Sequence, residues 1–333
     1  MHAKTPPAPR RAHGHAHGHM WLIGVAGMAA GLLLMVYVPS MTAISQSLLL
    51  LAGFHVVGGL VLLASLYVVG LRDFLRHLTG ADRRAARATR LNFGWGPGWM
   101  NGLAIAALAS AAAAVAANVA FPPAWPAAAA RWMASVVFMA GNTIMRGAGR
   151  VDHVVLPMVD LLSGEEDLVL DAGCGAGRTT IALGRALRSG RVVGLDRFDA
   201  NYIADGGRAL LDRNLEIAGL ADRVTVEVGD VTSMPFDDGR FDAAVSAHVY
   251  DHLGGRESAA LAETLRVLKP GGRFLMIVWV PGWAMFAVAN VFSLFLTGKA
   301  DWRKKARAAG FETLDEGMFN NAWFILLAKS KAM

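Results

Sequence analysis

Between residues 170 and 177 the chain reads Leu-Asp-Ala-Gly-Cys-Gly-Ala-Gly, an acid followed by alternating glycines. Glycine has no Cβ, so the backbone at Gly173, Gly175 and Gly177 can approach a ligand closely. The spacing differs from the G-x-G-x-x-G of dinucleotide sites. Asp171 ahead of it would hold a cationic amino group or a water, and would repel a pyrophosphate. The apolar run Arg191–Asp196 ends in a second acid, which at the tip of a strand can accept both hydroxyls of a ribose. A third run, Val224–Val228, ends in Gly229-Asp230-Val231, where a carboxylate can take an adenine amino group and a backbone N–H the ring. Beyond it stands Ser246-Ala247-His248-Val249-Tyr250-Asp251-His252, where imidazole, phenol and carboxylate groups could remove a proton or contact a substrate.

These residues need a particular scaffold. Residues 167–171 (DLVLD) form a short apolar run of the kind found in a buried parallel strand. The glycines follow at once, and 178–187 then reads as a helix. Strand, glycine turn and helix make the ligand crevice of a doubly wound α/β sheet. Residues 151–162 read as a helix leading in. Lys269-Pro270-Gly271-Gly272 reads as the turn before a fifth strand, 301–309 as the last helix, and 311–320 with 322–328 as a terminal antiparallel hairpin. The apolar stretch 281–297, with Trp283, Met285, Phe286, Phe292 and Phe295, is short for a membrane span. It reads as an interfacial helix or a pocket lid, with a buried core helix as the alternative.

Four pieces now stand in order: VLDAGCGAGR (169–178), VVGLD (192–196), VGDVTSMPFDDGRFDAAVSAHVYDHL (228–253) and LRVLKPGGRFLMIVW (265–279). Over residues 150–330 the chain resembles class I S-adenosylmethionine-dependent methyltransferases, in particular the small-molecule group that includes quinone-biosynthesis enzymes. The resemblance implies a Rossmann-like sheet and S-adenosylmethionine as cofactor. It implies that Gly173, Cys174, Gly175 and Gly177 cradle the donor and that Asp171 lines its amino-acid end. Asp196 with Arg197 would meet the ribose, Asp230 with Val231 the adenine, and Ser246 would close the edge. By the same resemblance the segment after the fourth strand would face the methyl group, so His248, Tyr250, Asp251 and His252 are the catalytic candidates; His252 opening a helix and Tyr250 packing are the structural alternatives. The Asn/Asp-Pro-Pro-Tyr tetrad of amide- and adenine-methylating relatives is missing, which argues against those targets. Displacement at a sulfonium releases a neutral thioether, so catalysis is mostly alignment, with a base needed only if the nucleophile must lose a proton. No metal is implied.

Composition divides the chain. Of its 333 residues 54% are apolar and 17% charged, against the roughly 25% charged of average globular proteins. Residues 1–150 hold 12 Lys and Arg against 2 acids, while residues 151–333 hold 20 against 24. The second half therefore lacks the basic surface of a nucleic-acid binder. The first half reads as a helical transmembrane domain over 20–146, with spans at 20–38, 47–71, 99–121 and 127–145. Basic residues in the tail and in the loop 72–98 place both on the cytoplasmic side. Four crossings put the methyltransferase domain, 147–333, there too, in a bacterial inner membrane. A cleaved signal peptide at 20–38 is the weaker alternative. Residues 1–19 form a tail whose His13, His15, His17 and His19 have incidental metal affinity. His55 lies mid-span, where a hydrogen bond to a neighbouring helix is favoured over substrate contact, and Gly27 with Gly31 makes a GxxxG that could pair two copies as a homodimer. Cys174 is the only cysteine, so no internal disulfide forms.

The expected function is an integral-membrane methyltransferase acting on a lipophilic small molecule, such as a quinone, isoprenoid or lipid, with membrane lipid as its surroundings. The alternatives are a membrane-anchored enzyme that modifies protein, and a non-catalytic donor-binding sensor read by the spans.

Overall fold

The computed structural model describes residues 20–38, 91–94, 97–120, 125–148, 156–157, 160–164, 166–200 and 204–331, with the isolated positions 40 and 49. The His-rich tail, nearly all of the expected span 47–71 with His55, and the basic loop from Arg72 to Arg90 lie outside the described residues. The chain divides into two compact units, Met1–Arg72 and Asp73–Met333. The first contains helix α1, Met20–Tyr37, with no charged residue. The second contains all the other elements named below.

Helices α2 (Pro97–Ala120) and α3 (Trp125–Ala148) form a hairpin. Small residues lie at its seam: Ala104, Ala107, Ala114 and Ala128 are buried. Two serines stitch the helices, Ser110 Oγ donating to the Arg131 carbonyl at 2.7 Å and Ser135 Oγ to the Ala107 carbonyl at 2.8 Å. The larger apolar residues point the other way, with Leu108 64% and Val119 79% exposed. Among the described residues no single helix is long and apolar enough to cross a membrane. The apolar part of α2, Asn101–Ala117, would rise about 25 Å against a hydrocarbon core of about 30 Å. In α3, Arg131, Asn142 and Arg146 interrupt the apolar run. The expectation of four spans is therefore not carried by these helices taken singly.

The rest of the unit is a seven-stranded mixed α/β sheet of Rossmann-like type, ordered β3-β2-β1-β4-β5-β7-β6. Its strands are β1 Leu168–Ala172, β2 Arg191–Asp196, β3 Val224–Val228, β4 Phe241–Ala247, β5 Leu268–Val278, β6 Phe311–Phe319 and β7 Ala322–Lys329. Strands β1 to β5 run parallel, and β7 pairs antiparallel with both β5 and β6. Parallel pairing requires crossover helices, supplied by α4 (Arg178–Ala186), α5 (Arg208–Ala218) and α6 (Glu257–Val267). The two-residue period of a strand splits its side chains between faces. Leu170, Ala172, Val193, Leu195 and Ala244 enter one core with Phe274, Trp302 and Trp323. Val169, Val192, Ala243 and Val245 enter the other with Leu183 and Leu187. The chain order reverses between β1 and β4, and ligands of such sheets sit at the strand ends there.

Two local expectations need correction, and one alternative falls away. The described residues of 151–162 are not helical: Leu156 and Pro157 are irregular, and Asp160 turns at φ 60°. Pro157 disfavours helix at the residue before it. Lys269–Gly272 is no turn ahead of β5 but lies within it, where pairing jumps from Phe241–Leu268 to Ala243–Arg273. The stretch 281–297 is not a core helix. It forms α7, Trp283–Ala289, and a tight 3-10 turn, Asn290–Phe295, in which Phe292 and Phe295 are 73% and 85% exposed. Helix α8 (Lys299–Ala308) follows at a bend of 58°. Length and composition alone would let this bent pair cross a bilayer. Yet α8 is basic and buries Trp302 and Ala306 in the sheet's core, so the pair is a surface corner.

The hairpin meets α7 backbone to backbone. A Cβ added at Gly141 of α3 would lie 2.0 Å from the Ala287 carbonyl oxygen. Gly141→Val therefore forces α7 off α3. The expected outcome is faster chymotryptic cleavage within residues 283–296 of the full-length protein; an unchanged rate would show that α7 is held by its other contacts.

Candidate active site

The described site residues lie at or just beyond the carboxyl ends of the parallel strands β1 to β5. Gly173, Gly175 and Gly177 all have positive φ, at 88°, 48° and 89°. Space demands glycine too: a Cβ on Gly173 would lie 2.2 Å from Val249 Cγ2, and one on Gly177 would lie 2.4 Å from Leu211 Cδ1. The loop thus threads between the turn after β4 and helix α5. The Gly175 N–H donates to Asp196 Oδ2 at 2.8 Å, and the Phe198 N–H to Asp196 Oδ1 at 2.8 Å. Each carboxylate oxygen has a second lone pair, so Asp196 can still accept two ligand hydroxyls.

Asp171, the penultimate residue of β1, is fully buried. Its Oδ2 accepts from Thr180 Oγ1 at 2.6 Å, while its Oδ1 has no partner. Burial, opposed by the Thr180 hydrogen bond and aided by the nearby Asp196 charge, pushes its pKa up to about 7. A buried, unpartnered carboxylate oxygen suits an ammonium group. Together with the Cβ-free loop and the free lone pairs of Asp196, it matches the amino-acid and ribose parts of S-adenosylmethionine.

Asp230 is more heavily engaged. Its Oδ1 accepts from the Thr232 N–H at 2.9 Å and from Thr232 Oγ1 at 2.7 Å, and Arg256 Nη1 lies 3.2 Å from Oδ2. The Thr232 backbone bond, followed by the Thr232 hydroxyl and Arg256, holds its pKa below the usual carboxylate range despite desolvation. Arg197 pairs with Asp199 and lies 3.5 Å from Asp230. Val231 is buried beside it. An adenine amino group would have to share Asp230 with Arg256, a contact that no motif announces.

Three predicted residues play other parts. Cys174 turns into the core with Ile181, Leu211 and Leu215, its Sγ 2.9 Å from where a Gly194 Cβ would stand. Burial, with the charges of Asp171 and Asp196, pushes its thiol pKa up, so it stays protonated. Ser246 is buried and donates to the Ala172 carbonyl at 2.8 Å, tying β4 to β1. Tyr250 is not at the site. It is fully buried, its ring 5.5 Å from that of Phe274, and its hydroxyl is bonded to Thr264 and the Ala260 carbonyl.

His248, Asp251 and His252 do come together, around Trp279, a residue that sequence reasoning missed. His248 has φ 59°, a left-handed value that costs a non-glycine residue. Its ring lies 4.9 Å from that of Trp279, and the ring of His252 lies 5.8 Å from it on an edge-to-face approach. Asp251 Oδ2 accepts from the Trp279 N–H at 3.0 Å. His248 Nδ1 and Asp251 Oδ1 are both buried without a partner. Burial lowers the His248 pKa, with Asp251 opposing, so the imidazole is neutral near pH 7 and able to take a proton.

A family model described as a methyltransferase domain matches residues 170–276. Sterol 24-C-methyltransferase of Eremothecium gossypii is 35% identical over 143 residues, 43% of this chain and 36% of that protein. Demethylmenaquinone methyltransferase of Lactiplantibacillus plantarum is 36% identical over 110 residues, 33% of this chain and 44% of that one. The chain thus spans under half the length of these curated relatives. Among solved structures, a SAM-dependent methyltransferase from Aquifex aeolicus superposes at a TM-score of 0.42 with 19% identity, over 51% of this chain and 85% of that one. Residues 170–276 thus match a methyltransferase domain, and S-adenosylmethionine is the cofactor that goes with it.

Two outcomes follow from the buried groups. A carboxylate raised from 3.8 to about 7 binds its proton more tightly in the folded state, so its contribution to stability is fullest at low pH and falls as pH rises from 3.8 to 7. Asp171→Asn removes that fall: Tm at pH 8 should rise relative to the parent chain, with a smaller difference at pH 4, while S-adenosylmethionine binding weakens. Thermal scans with and without the donor check both, and equal Tm differences at the two pH values would contradict the buried-carboxylate account. His248→Gln should lower kcat by about two orders of magnitude or more if the imidazole is a general base. The acid limb of the parent pH–rate profile should then fall below the ordinary histidine value of 6.5. An unchanged kcat would remove His248 from the chemistry.

Proposed function

We propose that the chain is a membrane-associated S-adenosylmethionine-dependent methyltransferase acting on a lipophilic small molecule at the cytoplasmic face of a bacterial inner membrane. One observation carries this reading, the inverted polarity of the α2–α3 hairpin. In water, folding buries large apolar side chains and leaves small or charged ones outside. Here alanines form the seam, Ile105, Leu108, Val115 and Val119 face outward, and α2 carries no charged residue. Close packing on small residues, with serine hydroxyls bonded across helices, is how apolar helices associate in lipid. Exposed Val291, Phe292, Leu294 and Phe295 add a second apolar surface next to α7, which the hairpin touches.

The charge-free α1 and the basic loops on either side of the expected spans support a cytoplasmic catalytic domain. So does the cofactor, which is a cytoplasmic metabolite. Two of the relatives are named for a sterol and for demethylmenaquinone, both largely hydrocarbon. When bound, the donor supplies a methyl group already activated on a sulfonium. The chain's own residues then bind and align. The glycine loop and Asp196 hold the nucleoside end, Asp171 pairs with the ammonium, and Trp279 with His248 and His252 walls the acceptor side. Where the acceptor is a hydroxyl, His248 takes its proton; Asp251 fixes Trp279 and thereby the wall.

Full-length protein incubated with methyl-labelled S-adenosylmethionine and total membranes should place label in the organic extract. Label in protein instead would overturn the lipophilic acceptor. Donor binding with no label in either fraction would favour a sensor. Retention in the membrane fraction after alkaline carbonate washing checks integration separately, and release into the supernatant would refute it.

A further inference from the structure

The residues just ahead of the hairpin return to the donor loop. Asn214, on α5, is fully buried. Its Oδ1 accepts from the Asn92 N–H at 2.9 Å. Its Nδ2 donates to the Asn92 carbonyl at 2.7 Å and to the Ala176 carbonyl at 2.8 Å. One side-chain amide thus pairs with both backbone groups of Asn92, as a neighbouring strand would. With its second N–H it reaches the middle of the glycine loop. Both donors of the amide are used.

Packing follows the same path. Leu91 and Phe93 flank Asn92 and rest on the cluster of Cys174, Ile181, Leu211, Leu215 and Leu220. Asn92 Oδ1 accepts from the Gly94 N–H at 3.0 Å, closing a turn after the contact. Leu211, one turn before Asn214, occupies the space beside Gly177. One face of α5 therefore touches the donor loop at residues 176 and 177 and the strap at 91–93. The loop needs such support. Three glycines with positive φ are costly to order, and the peptide unit joining Ala176 to Gly177 is held at both ends, its carbonyl by Asn214 and its N–H by the Cys174 carbonyl at 2.8 Å, while the Gly175 N–H is held by Asp196.

We infer that residues 91–94 are a clasp that keeps the glycine loop in its donor-binding shape, acting through Asn214 as a positioning residue. The inference rests on reading 173–177 as the donor loop. The clasp leads within a few residues into α2, so the seating of the apolar hairpin and the affinity for the donor are linked: a displaced hairpin loosens the loop.

Full-length protein tests this with three variants: Asn214→Ala, the pair Leu91→Ala/Phe93→Ala, and all three changes together. The first two should each raise the S-adenosylmethionine Kd about tenfold, the size expected for losing a buried hydrogen-bonded anchor. The combined variant should be little weaker than either, because both act through one contact chain. Hydrogen exchange at the amides of 175–177 should quicken in the strap pair. A strap pair with lowered Tm but unchanged Kd and exchange would overturn the clasp and leave plain packing. If Asn214→Ala does not fold, the strap pair decides alone. If the parent chain binds no S-adenosylmethionine, the donor-loop reading fails, and strap-dependent exchange at 175–177 still decides the clasp.

Discussion

The site depends on one costly arrangement, a carboxylate buried at the end of a central strand. Asp171 cannot reach water, and only one of its oxygens is satisfied, by Thr180. An unpaired charge there would be expensive, and the protein answers by letting its pKa rise to about 7. Everything near it limits what else can enter. The glycine loop passes with no Cβ, Cys174 is turned aside into the core, and Ser246 ties β4 to β1 below the pocket. A cation is the ligand group that relieves the strain, which is why the donor's ammonium end and this strand end suit one another.

The acceptor side is built on a different constraint. At His248 the backbone is forced to φ 59°, while its N–H still bonds to the Ile277 carbonyl at 2.8 Å. The following residues form a single tight turn, and the reversal sends Tyr250 inward while His248 and His252 both meet Trp279. Tyr250 then fastens the turn to α6 through Thr264 and Ala260. Its role is to hold the strained turn rather than to touch substrate. Strain kept by surrounding packing is characteristic of functional turns.

The donor half was legible because its signals are local. An acid stands in the last two residues of β1 and of β2, Gly229-Asp230 follows β3, and the glycines stand where chain direction must change; the observed strands differ from the expected ones by no more than a residue or two. What was not legible is set by distance along the chain or by how a turn rotates. Asn92 and Asn214 are 122 residues apart, and no motif joins them. Trp279 closed a recognised segment, yet its position between two histidines depends on the turn at 250–252. Arg256 reaches Asp230 from 26 residues away. The bulge at Lys269–Gly272 reads as a turn because proline and glycine are turn residues, although the ladder continues through them.

The hairpin poses the remaining question of how hydropathy translates into placement. Counting apolar residues gave spans at 99–121 and 127–145, while α3 carries Arg131, Asn142 and Arg146, and the apolar part of α2 falls short of a full crossing. The direction in which residues face carries more information than their sum. A two-helix unit with an alanine seam and outward leucine, isoleucine and valine gains little from packing in water, where each buried Å² of apolar surface is worth only about 25 cal/mol and alanine has little to bury. The same unit is held to the methyltransferase domain at two separate points, Asn92 on α5 and Gly141 on α7. One attachment lies beside the donor loop, through Asn214 and Ala176, and the other on the helix just ahead of the exposed segment 290–295. A freely tethered domain would need neither, so the hairpin is a structural part of the sheet domain.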